Sequence, residues 1–456
     1  MEPWAKQVEQ ALNAFAGFMW GPPLVVLLVG GGLFFVVYSG ARPYRFFPHA
    51  LAVLRGRYND PDDAGDISHF QALSTALSGT LGMGNVAGVA VAIGLGGPGA
   101  VFWMWLTAVV GVATKFFTAT LAVMYRGNDS LGRLQGGPMY VIQEGLGPRW
   151  RPLAYLFALA ALVGTTPIFQ INQLVQILQD TLAEPMGWAS DDSHFIFDLV
   201  TGLVLAAVVL VVILGRVQRV GRVTSVLVPT MVVAYLLVTF WVLGIHAEQV
   251  PDALALIVRD AFSGTSVAGG AVGSVIIMGV RRGAFSNEAG IGTESMAHGA
   301  ARTDEPVREG LVAMVGPVID TLLVCTCTAL TILVTDAWRT GEEDGVIMTL
   351  NAFRTALPQA GEGLLAAMVV MLGLSTVFSF WYYGAKCLGF LIGAEHQHHY
   401  IWVYCVLVVL GSVMSLDMVV GFVDGMYAMM AIPTMISALV LAPRVMRAAD
   451  AYFRRY

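Results

Sequence analysis

Two polar stretches broken by glycine lie inside apolar segments of this 456-residue chain, and their sequences echo each other. One runs from Ser78 to Gly88 and the other from Phe285 to Gly292, and both contain Asn-x-Ala-Gly. Glycine weakens a helix, and backbone groups without helical partners are tolerated at membrane depth only inside protein or beside a cavity. Matched breaks of this kind hold ions and small molecules near the bilayer midplane. We therefore expect the two stretches to form one binding site.

The first stretch offers donors for an anion and acceptors for a cation. The amides of Gly82 and Gly84 would lie at the amino end of a half-helix, where free N–H groups and the helix dipole attract a carboxylate. The Asn85 side-chain oxygen and the backbone carbonyls freed by the break are hard ligands, which suit sodium better than a soft metal. These carbonyls belong to Ser78, Thr80 and Leu81. The alternative is that the glycines only permit close helix packing.

The second stretch adds Ser286, Asn287 and the carboxylate of Glu288. A carboxylate buried in a membrane is costly and needs a partner. Glu288 could hold a coupling cation, hold a substrate amine or form a structural ion pair, and we favour the ion pair. Its candidate partners are Arg281, Arg282 and Lys115. Asp320 stands in another apolar segment without a basic neighbour in sequence, so we expect it to be a cation ligand.

Further polar residues lie in the middle of apolar segments. Gln170 follows Pro167, which bends a helix and frees a carbonyl, so we expect Gln170 to face a ligand. For Asn172, a hydrogen bond between two helices is as good an explanation as contact with a ligand. Three hydroxyls within about one helical turn could complete a second sodium site or simply bond to the preceding turn. They belong to Ser375, Thr376 and Ser379. For His298, near the end of its segment, bonding to backbone is the commoner role and a proton relay the alternative.

Composition places the chain among polytopic membrane proteins. Hydrophobic residues make up 57% and charged residues 12% of the sequence, and the mean hydropathy is +0.71. These values exclude a soluble protein and give no reason to expect a nucleic-acid partner or an organic cofactor. All four cysteines lie in apolar segments, where cysteine behaves as a small hydrophobe.

Eleven segments are long enough to cross the hydrocarbon core, which takes about 20 residues. They fall at 21–40, 67–98, 100–125, 152–180, 195–215, 223–245, 262–300, 310–335, 362–393, 398–416 and 418–442. With the amino terminus outside, seventeen basic residues lie in inner loops and four in outer loops. This positive-inside bias predicts a cell-membrane protein with a cytoplasmic carboxyl terminus.

The spans predict an all-α fold with an internal inverted repeat. A leading helix and its connection would occupy 1–66, two inverted runs of five helices 67–246 and 247–442, and a cytoplasmic tail 443–456. Each run then begins with a helix that carries a glycine break, as a repeat requires. The amphipathic stretch from Val346 to Ala356, in the polar segment 336–361, could be an extracellular lid or an ordinary surface loop.

Several blocks resemble the alanine or glycine:cation symporter family. They are Ala76-Leu77-Ser78 through Gly97-Pro98-Gly99-Ala100-Val101-Phe102-Trp103-Met104-Trp105, Ala113-Thr114-Lys115-Phe116, Gly136-Gly137-Pro138-Met139-Tyr140, Arg282-Gly283-Ala284-Phe285-Ser286-Asn287-Glu288-Ala289-Gly290, Ile319-Asp320-Thr321 and Tyr382-Tyr383-Gly384. The resemblance implies a leucine-transporter-like fold with one extra leading helix that couples amino acid uptake to sodium. Asn85, Thr80 and Ser286 would then match the sodium site nearest the substrate. A second sodium site would match Ser78, Leu81, Ser375 and Thr376.

The chain departs from the family pattern at Thr293-Glu294-Ser295, at Ala385 and at Thr166-Pro167, which leaves the transported amino acid open. The expected function is sodium-coupled uptake of small neutral amino acids, alanine or glycine first, by alternating access. A proton-coupled or glutamine-selective symporter is the alternative. A membrane enzyme using Glu288, His298 or Asp320 is disfavoured because no nucleophile and base accompany them. A channel is disfavoured by the paired breaks.

Two sets of residues follow from these expectations. The substrate would contact Gly82, Met83, Gly84, Gln170, Phe285, Asn287 and Trp381. The cation ligands would be Ser78, Thr80, Leu81, Asn85, Ser286, Asp320, Ser375 and Thr376, and no metal other than sodium is expected.

Overall fold

The computed structural model describes residues 3–188, 194–263, 272–339, 345–414 and 416–455. Within these ranges the chain is helical apart from its connections and one small antiparallel hairpin, β1 (Gly127–Asn128) and β2 (Leu134–Gln135). The fold is therefore all-α in its spanning part, as the sequence predicts.

The helices follow one another along the chain. They are α1 (Pro3–Met19), α2 (Pro22–Val25), α3 (Gly31–Tyr38), α4 (Arg42–Arg45), α5 (Phe47–Leu54), α6 (His69–Thr80), α7 (Met83–Gly96), α8 (Ala100–Met124), α9 (Pro138–Tyr140), α10 (Arg151–Gly164), α11 (Ile168–Leu178), α12 (Phe195–Ile213), α13 (Arg216–Ile245), α14 (Val250–Ser263), α15 (Val272–Asn287), α16 (Thr293–His298), α17 (Pro306–Ala313), α18 (Val315–Pro317), α19 (Thr326–Val334), α20 (Val346–Ala356), α21 (Gly361–Ile392), α22 (Tyr400–Val413) and α23 (Leu416–Phe453). Wider π-helical turns lie at Val26–Gly30, Val141–Leu146, Gln179–Ala183 and Val318–Cys325, and tighter 3-10 turns at Pro148–Trp150, Ala337–Arg339 and Gln397–His399.

Among the described residues, eight helical stretches are long and apolar enough to span a membrane. A ninth forms if Gln10–Met19 and Pro22–Tyr38, which meet at a 45° bend, count as one span. The predicted number of eleven spans is therefore not confirmed within the described residues. The predicted span 262–300 includes residues outside the described ranges and is interrupted, and the apolar helix Gln397–Val413 is short. The inverted repeat and its boundaries stay predictions.

Two expected segments have different outcomes. The amphipathic stretch forms α20, whose bounds Val346–Ala356 agree with the sequence pattern. Helix α20 is tied to the spans because the Val346 N–H donates to Gln173 Oε1 at 3.1 Å. Helix α23 continues through residue 443 to Phe453, so the segment expected as a tail is helical over most of its described part, and its position relative to the membrane stays a prediction.

The first glycine break separates α6 from α7. Ser68 begins α6 with a capping box, in which its hydroxyl accepts from the Gln71 N–H. Leu81 and Gly82 leave the helical conformation, and α7 starts at Met83. A Cβ on Gly82 would lie 2.2 Å from Thr376 Oγ1, so only glycine lets α21 approach this closely.

The second break separates α15 from α16 and begins later than the sequence suggests. Phe285, Ser286 and Asn287 are still helical. The Asn287 side chain then accepts from the Ala289 N–H at 3.0 Å, a local turn that competes with the helix. Glu288, Gly290 and Gly292 adopt φ values of 55°, 84° and 100°. A positive φ is strained for a residue with a side chain, so Glu288 is held there by its surroundings.

The interrupted helices lie at the centre of the molecule. Every residue in the most apolar window of His69–Gly96 is buried, whereas only 28% are buried in the corresponding windows of Phe195–Ile213 and Gln218–Ile245. The latter two expose large apolar side chains such as Leu203, Val211 and Trp241. An apolar outer surface around a polar centre is the arrangement expected of a protein surrounded by lipid.

Candidate functional site

Asp320 forms hydrogen bonds with both interrupted helices. It lies in the π-helical turn Val318–Cys325 and is fully buried. Its Oδ1 accepts from Asn85 Nδ2 of α7 at 2.5 Å, and its Oδ2 accepts from the Ser286 hydroxyl of α15 at 2.7 Å. The Thr321 hydroxyl donates to the same Oδ2 at 2.7 Å. A carboxylate with two adjacent hydroxyl oxygens is a hard, negatively charged site, which suits a small cation.

The Asn85 side chain connects the first break to Asp320. Its Oδ1 accepts from the Gly82 N–H at 2.9 Å, and its Nδ2 faces Asp320. The first amides of a helix lack acceptors within the helix, and an amide side chain three residues on can supply one. The Gly82 N–H therefore already has an acceptor in this structure, and its expected contact with a carboxylate stays a prediction. Gly84 remains in the first turn of α7.

Of the two polar residues that end α15, only Ser286 forms a hydrogen bond with Asp320 among the described residues. Asn287 Nδ2 donates to the Thr321 hydroxyl at 3.3 Å, and its Oδ1 accepts from the Ala289 N–H. Both ends of the Asn287 amide are thus used within the protein. It shapes the break and bonds to the neighbour of Asp320.

Glu288 has hydroxyl partners and not the arginines expected from the sequence. Its carboxylate accepts from the Thr293 hydroxyl at 2.5 Å and from the Tyr427 hydroxyl at 3.2 Å. Arg281 and Arg282 both pair with Asp424 of α23. Of the three candidate partners named from the sequence, the two arginines therefore pair elsewhere. Buried Lys115 still interacts electrostatically with Glu288 and with Asp320.

Four of the expected substrate residues pack around the start of α7. A Cβ on Gly84 would lie 3.3 Å from the Phe285 ring, and one on Gly373 would lie 3.6 Å from Met83 and 3.8 Å from the Gln170 carbonyl. The Phe285 ring packs on Tyr427 with centroids 4.8 Å apart. Gln170 Oε1 is buried and has no hydrogen-bond partner among the described residues, so this acceptor is open to a ligand.

Trp381 lines a cavity of about 660 Å³, together with Tyr382, Ala385 and Lys386. The Trp381 indole N–H is buried and finds no hydrogen-bond partner within the part of the chain that the structure describes. A second cavity of about 510 Å³ lies at the opposite ends of α12 and α22, where Asp198 and Ser412 line it. The structure thus has a recess at each end of the molecule, and Trp381 belongs to the wall of the larger one.

The hydroxyls considered for a second sodium site mostly bond to their own helices. Ser375 and Thr376 donate to the Leu372 carbonyl at 2.8 and 3.1 Å. Thr80, expected in the sodium site nearest the substrate, likewise donates to the Leu77 carbonyl of its own helix at 3.3 Å. This is the alternative that the sequence left open. The hydroxyl that contacts Ser78 belongs to Ser379, and Thr376 packs against Gly82, next to Leu81.

Sequence reasoning missed two buried charged groups. Asp424 pairs with both arginines of α15, and Glu309 bonds to His69 and His298. Both carboxylates stand in or beside apolar segments, as Asp320 does, and the high cost of such a placement was the signal available for them. His298 therefore bonds to a carboxylate rather than to backbone, contrary to the commoner role assumed above.

Known proteins resemble this chain over nearly its whole length. It matches the sodium:alanine symporter family over residues 5–456. The sodium/alanine symporter AgcS of Methanococcus maripaludis is 37% identical over 97% of this chain and 96% of its own length. The probable sodium/glutamine symporter GlnT of Bacillus subtilis is 34% identical over 98% of this chain and 92% of its own.

The fold is also found in a solved structure. The crystal structure of MhsT in complex with L-phenylalanine matches with a TM-score of 0.59 at 13% identity, over 84% of this chain and 98% of that chain. At 13% identity the structural similarity is evidence for the fold alone. It confirms the predicted leucine-transporter-like fold. From the match along the whole sequence, the chain belongs to the sodium:alanine symporter family.

Proposed function

We propose that this protein takes up small neutral amino acids, alanine or glycine first, together with sodium. The observation that carries the proposal is the convergence of Asn85, Ser286 and Asp320 at the junction of the two interrupted helices. A buried carboxylate there needs a positive partner, and a transported cation supplies one. The relatives point the same way, since AgcS carries the name of a sodium/alanine symporter.

In this proposal Asp320 and the Ser286 and Thr321 hydroxyl oxygens hold sodium. Asn85 positions Asp320 and the start of α7 by bonding to both. Thr80 would belong to this first site. A second sodium would bind near Ser78, with oxygens from Leu81, Ser375, Thr376 and Ser379. The pairing of Ser78 with Ser379 supports the proximity of α6 and α21 that such a site needs.

The substrate would lie against the start of α7. Its carboxylate would bind the Gly84 amide and the positive end of the α7 dipole. The amine would bind the free Gln170 oxygen and carbonyls at the second break, with Asn287 shaping that break. A small side chain would contact Met83 and Phe285, and Trp381 would line the route to the larger cavity. Sodium and amino acid bound together would permit closure, and alternating access would follow.

The protein would lie in the cell membrane with its amino terminus outside. The arginine-rich loops around the larger cavity, where Arg133 lines the wall, would then face the cytoplasm. The extra leading helix and the 5+5 inverted repeat remain part of the proposal.

Uptake of radiolabelled alanine into proteoliposomes, with and without an inward sodium gradient, tests the function. Sodium-driven accumulation that glycine competes is expected for the wild type. Asp320→Asn should abolish this dependence because it removes the charge that offsets sodium. Asp260→Asn is the matched control, since Asp260 is a buried aspartate on α14 that bonds to the Gly99 N–H. Equal sodium-driven uptake by wild type and Asp320→Asn would contradict the assignment.

A proton-coupled or glutamine-selective symporter is the second candidate. The name of the relative GlnT supports glutamine as a substrate. The buried carboxylates Glu288 and Glu294 could bind a coupling proton. Replacing sodium with choline at fixed pH separates the coupling ions, and competition by unlabelled glutamine separates the substrates. Accumulation driven by a proton gradient without sodium would favour this candidate.

A further inference from the structure

The wall of the larger cavity contains two buried hydrogen-bond donors. The cavity measures about 660 Å³, and Trp381 and Lys386 of α21 line it. These two residues are 7% and 8% exposed. The Trp381 indole N–H has no hydrogen-bond partner among the described residues. A buried donor without an acceptor is unfavourable, so a ligand that supplies an acceptor would stabilise this wall.

Lys386 is a buried positive charge that is held by neutral groups. Its ammonium donates to the carbonyls of Gly136 and Met296 at 3.3 and 3.1 Å, and it lies 5.0 Å from the centre of the Tyr382 ring. In the part of the chain that the structure describes, no carboxylate lies within 4.0 Å of the Lys386 Nζ. An ammonium has three donors, and the carbonyls use two of them. A buried charge without a countercharge is costly, so an anion in the cavity would be favoured.

The other fully charged side chains of this wall are exposed. They are Asp66, Arg133 and Glu395. Arg133 pairs with Asp129 at 2.9 Å, whereas Asp66 interacts electrostatically with Lys386. The wall thus presents a buried ammonium together with an exposed carboxylate. An amino acid zwitterion carries the complementary pair of charges, and a simple anion matches only the ammonium.

Helix α21 connects this cavity with the proposed substrate site. Thr376 packs against Gly82 at the start of α7. Lys386 lies ten residues later on the same helix, which corresponds to roughly 15 Å along the helix axis. One small amino acid cannot reach both places at once. A ligand in the cavity is therefore either a second molecule or the same molecule at a later stage of transport.

The Met296 carbonyl connects Lys386 to the second interrupted helix. Met296 lies in α16, the half that follows the second break. If α16 moves during transport, Lys386 loses one of its two acceptors. A charge-assisted bond to a carboxylate is stronger than a bond to a neutral carbonyl, so the carboxylate of an amino acid is a suitable replacement.

We propose that this cavity is a second amino acid subsite, in which Lys386 and the Trp381 N–H bind the carboxylate and Asp66 attracts the amine. The transported amino acid would occupy it after leaving the start of α7 and before reaching the solution. The inference rests on the proposed function for the identity of the ligand. Binding is expected to be weak because the cavity is much larger than alanine.

Saturation-transfer NMR on the wild-type protein in detergent detects weak binding of this kind. Alanine is titrated with potassium in place of sodium, because sodium should strengthen binding at the start of α7. We expect saturable binding with full competition by glycine. Acetate, methylamine and chloride each match only part of the site, so each should compete weakly at the same concentration. Competition by acetate or chloride as strong as that by glycine would show a simple anion site and overturn the proposal. This comparison requires no variant to fold.

Two variants assign the binding to this cavity. Trp381→Phe keeps a ring and removes the N–H, so the affinity should fall about threefold or more. Lys386→Gln removes the charge and should lower the affinity about tenfold, whereas Lys386→Arg should retain most of it. Arg133→Gln is the matched control, since Arg133 lines the same wall and pairs with Asp129. Thermal midpoints without alanine show whether each variant is folded. No saturable binding to the wild type, or equal affinity in the wild type, Trp381→Phe and Lys386→Gln, would overturn the proposal.

The uptake assay separates this result from the proposed function. Sodium-driven accumulation of alanine, without any saturable binding in potassium, would leave the function standing and remove the subsite. Binding that depends on Lys386, without sodium-driven accumulation, would support the subsite and contradict the proposed function.

Discussion

At the scale of single residues, Asn85 illustrates how one amide side chain serves two elements. Its oxygen caps the first amide of the break, and its nitrogen holds Asp320. A carboxylate and the end of a half-helix are thereby kept in a fixed relation. Because the same side chain bonds to Gly82 and to Asp320, a substitution of Asn85 should change both the stability of the protein and the binding of the ion.

Asn85→Ala should lower sodium-dependent uptake and also stability. Loss of the bond to the Gly82 N–H costs about 1 kcal/mol, the usual value for a cap, and Asp320 loses a donor. The sodium dependence of alanine uptake and the thermal midpoint in detergent would measure the two effects. Asn128→Ala, in the exposed part of β1, is the control. An unchanged sodium dependence would remove Asn85 from the site.

At the scale of elements, the first break is maintained by close contact between helices. Gly82 lies so near Thr376 that a Cβ would collide with its hydroxyl oxygen. The break therefore depends on α21 as much as on the local weakness of glycine. The second break differs, since it uses three positive φ values and an asparagine turn.

Gly82→Ala should destabilise the protein by roughly 1–3 kcal/mol, the usual cost of overpacking. Thr376→Ala removes the colliding hydroxyl and should recover part of that loss in the double variant. Thermal midpoints of the wild type, the two single variants and the double variant give the coupling energy between positions 82 and 376. Gly363→Ala, with nothing within 4 Å of the added Cβ, is the control. Additive effects would show that the contact does not maintain the break.

Helices α15 and α23 are joined by a buried ion cluster. Asp424 accepts from Arg281 Nε at 2.7 Å and also pairs with Arg282, whose side chain is 1% exposed. The Trp20 indole N–H donates to the Asp424 carbonyl at 2.9 Å, which adds the leading segment to the same contact. This cluster connects the helix before the second break to the periphery.

Asp424→Asn should destabilise the protein by about 3 kcal/mol or more, because it leaves buried Arg282 without its charge partner. Asp336→Asn breaks a pair with Arg339 whose side chains are both 65% exposed. This control should change stability by less than about 1 kcal/mol. Chemical unfolding in detergent micelles measures both. Equal losses would mean that burial does not govern the strength of the Asp424 pair.

At the scale of the whole molecule, membership of the sodium:alanine symporter family and the two recesses describe a membrane transporter. The proposed cation and substrate sites share α7 and α15. Binding at one site therefore acts on the elements that form the other. If both ligands stabilise the same arrangement, their affinities must rise together.

This linkage gives a quantitative prediction. The factor by which saturating sodium raises alanine affinity should equal the factor by which saturating alanine raises sodium affinity. Equilibrium binding of labelled alanine and of sodium to the detergent-solubilised protein measures both factors. Asp320→Asn should reduce both factors towards one. Strong alanine binding that is indifferent to sodium, with potassium as the ionic control, would contradict coupling through this site.

The sequence by itself determined the membrane class, the family and the position of the first break, because these depend on local composition and on blocks of neighbouring residues. It also predicted that Asp320, Asn85 and Ser286 are functional, since buried polar groups in apolar segments are costly. Only the tertiary structure decided the partners. Glu288 bonds to hydroxyls while the arginines pair with Asp424, and His298 meets Glu309. Partners distant in sequence are chosen by helix packing, which no local pattern records.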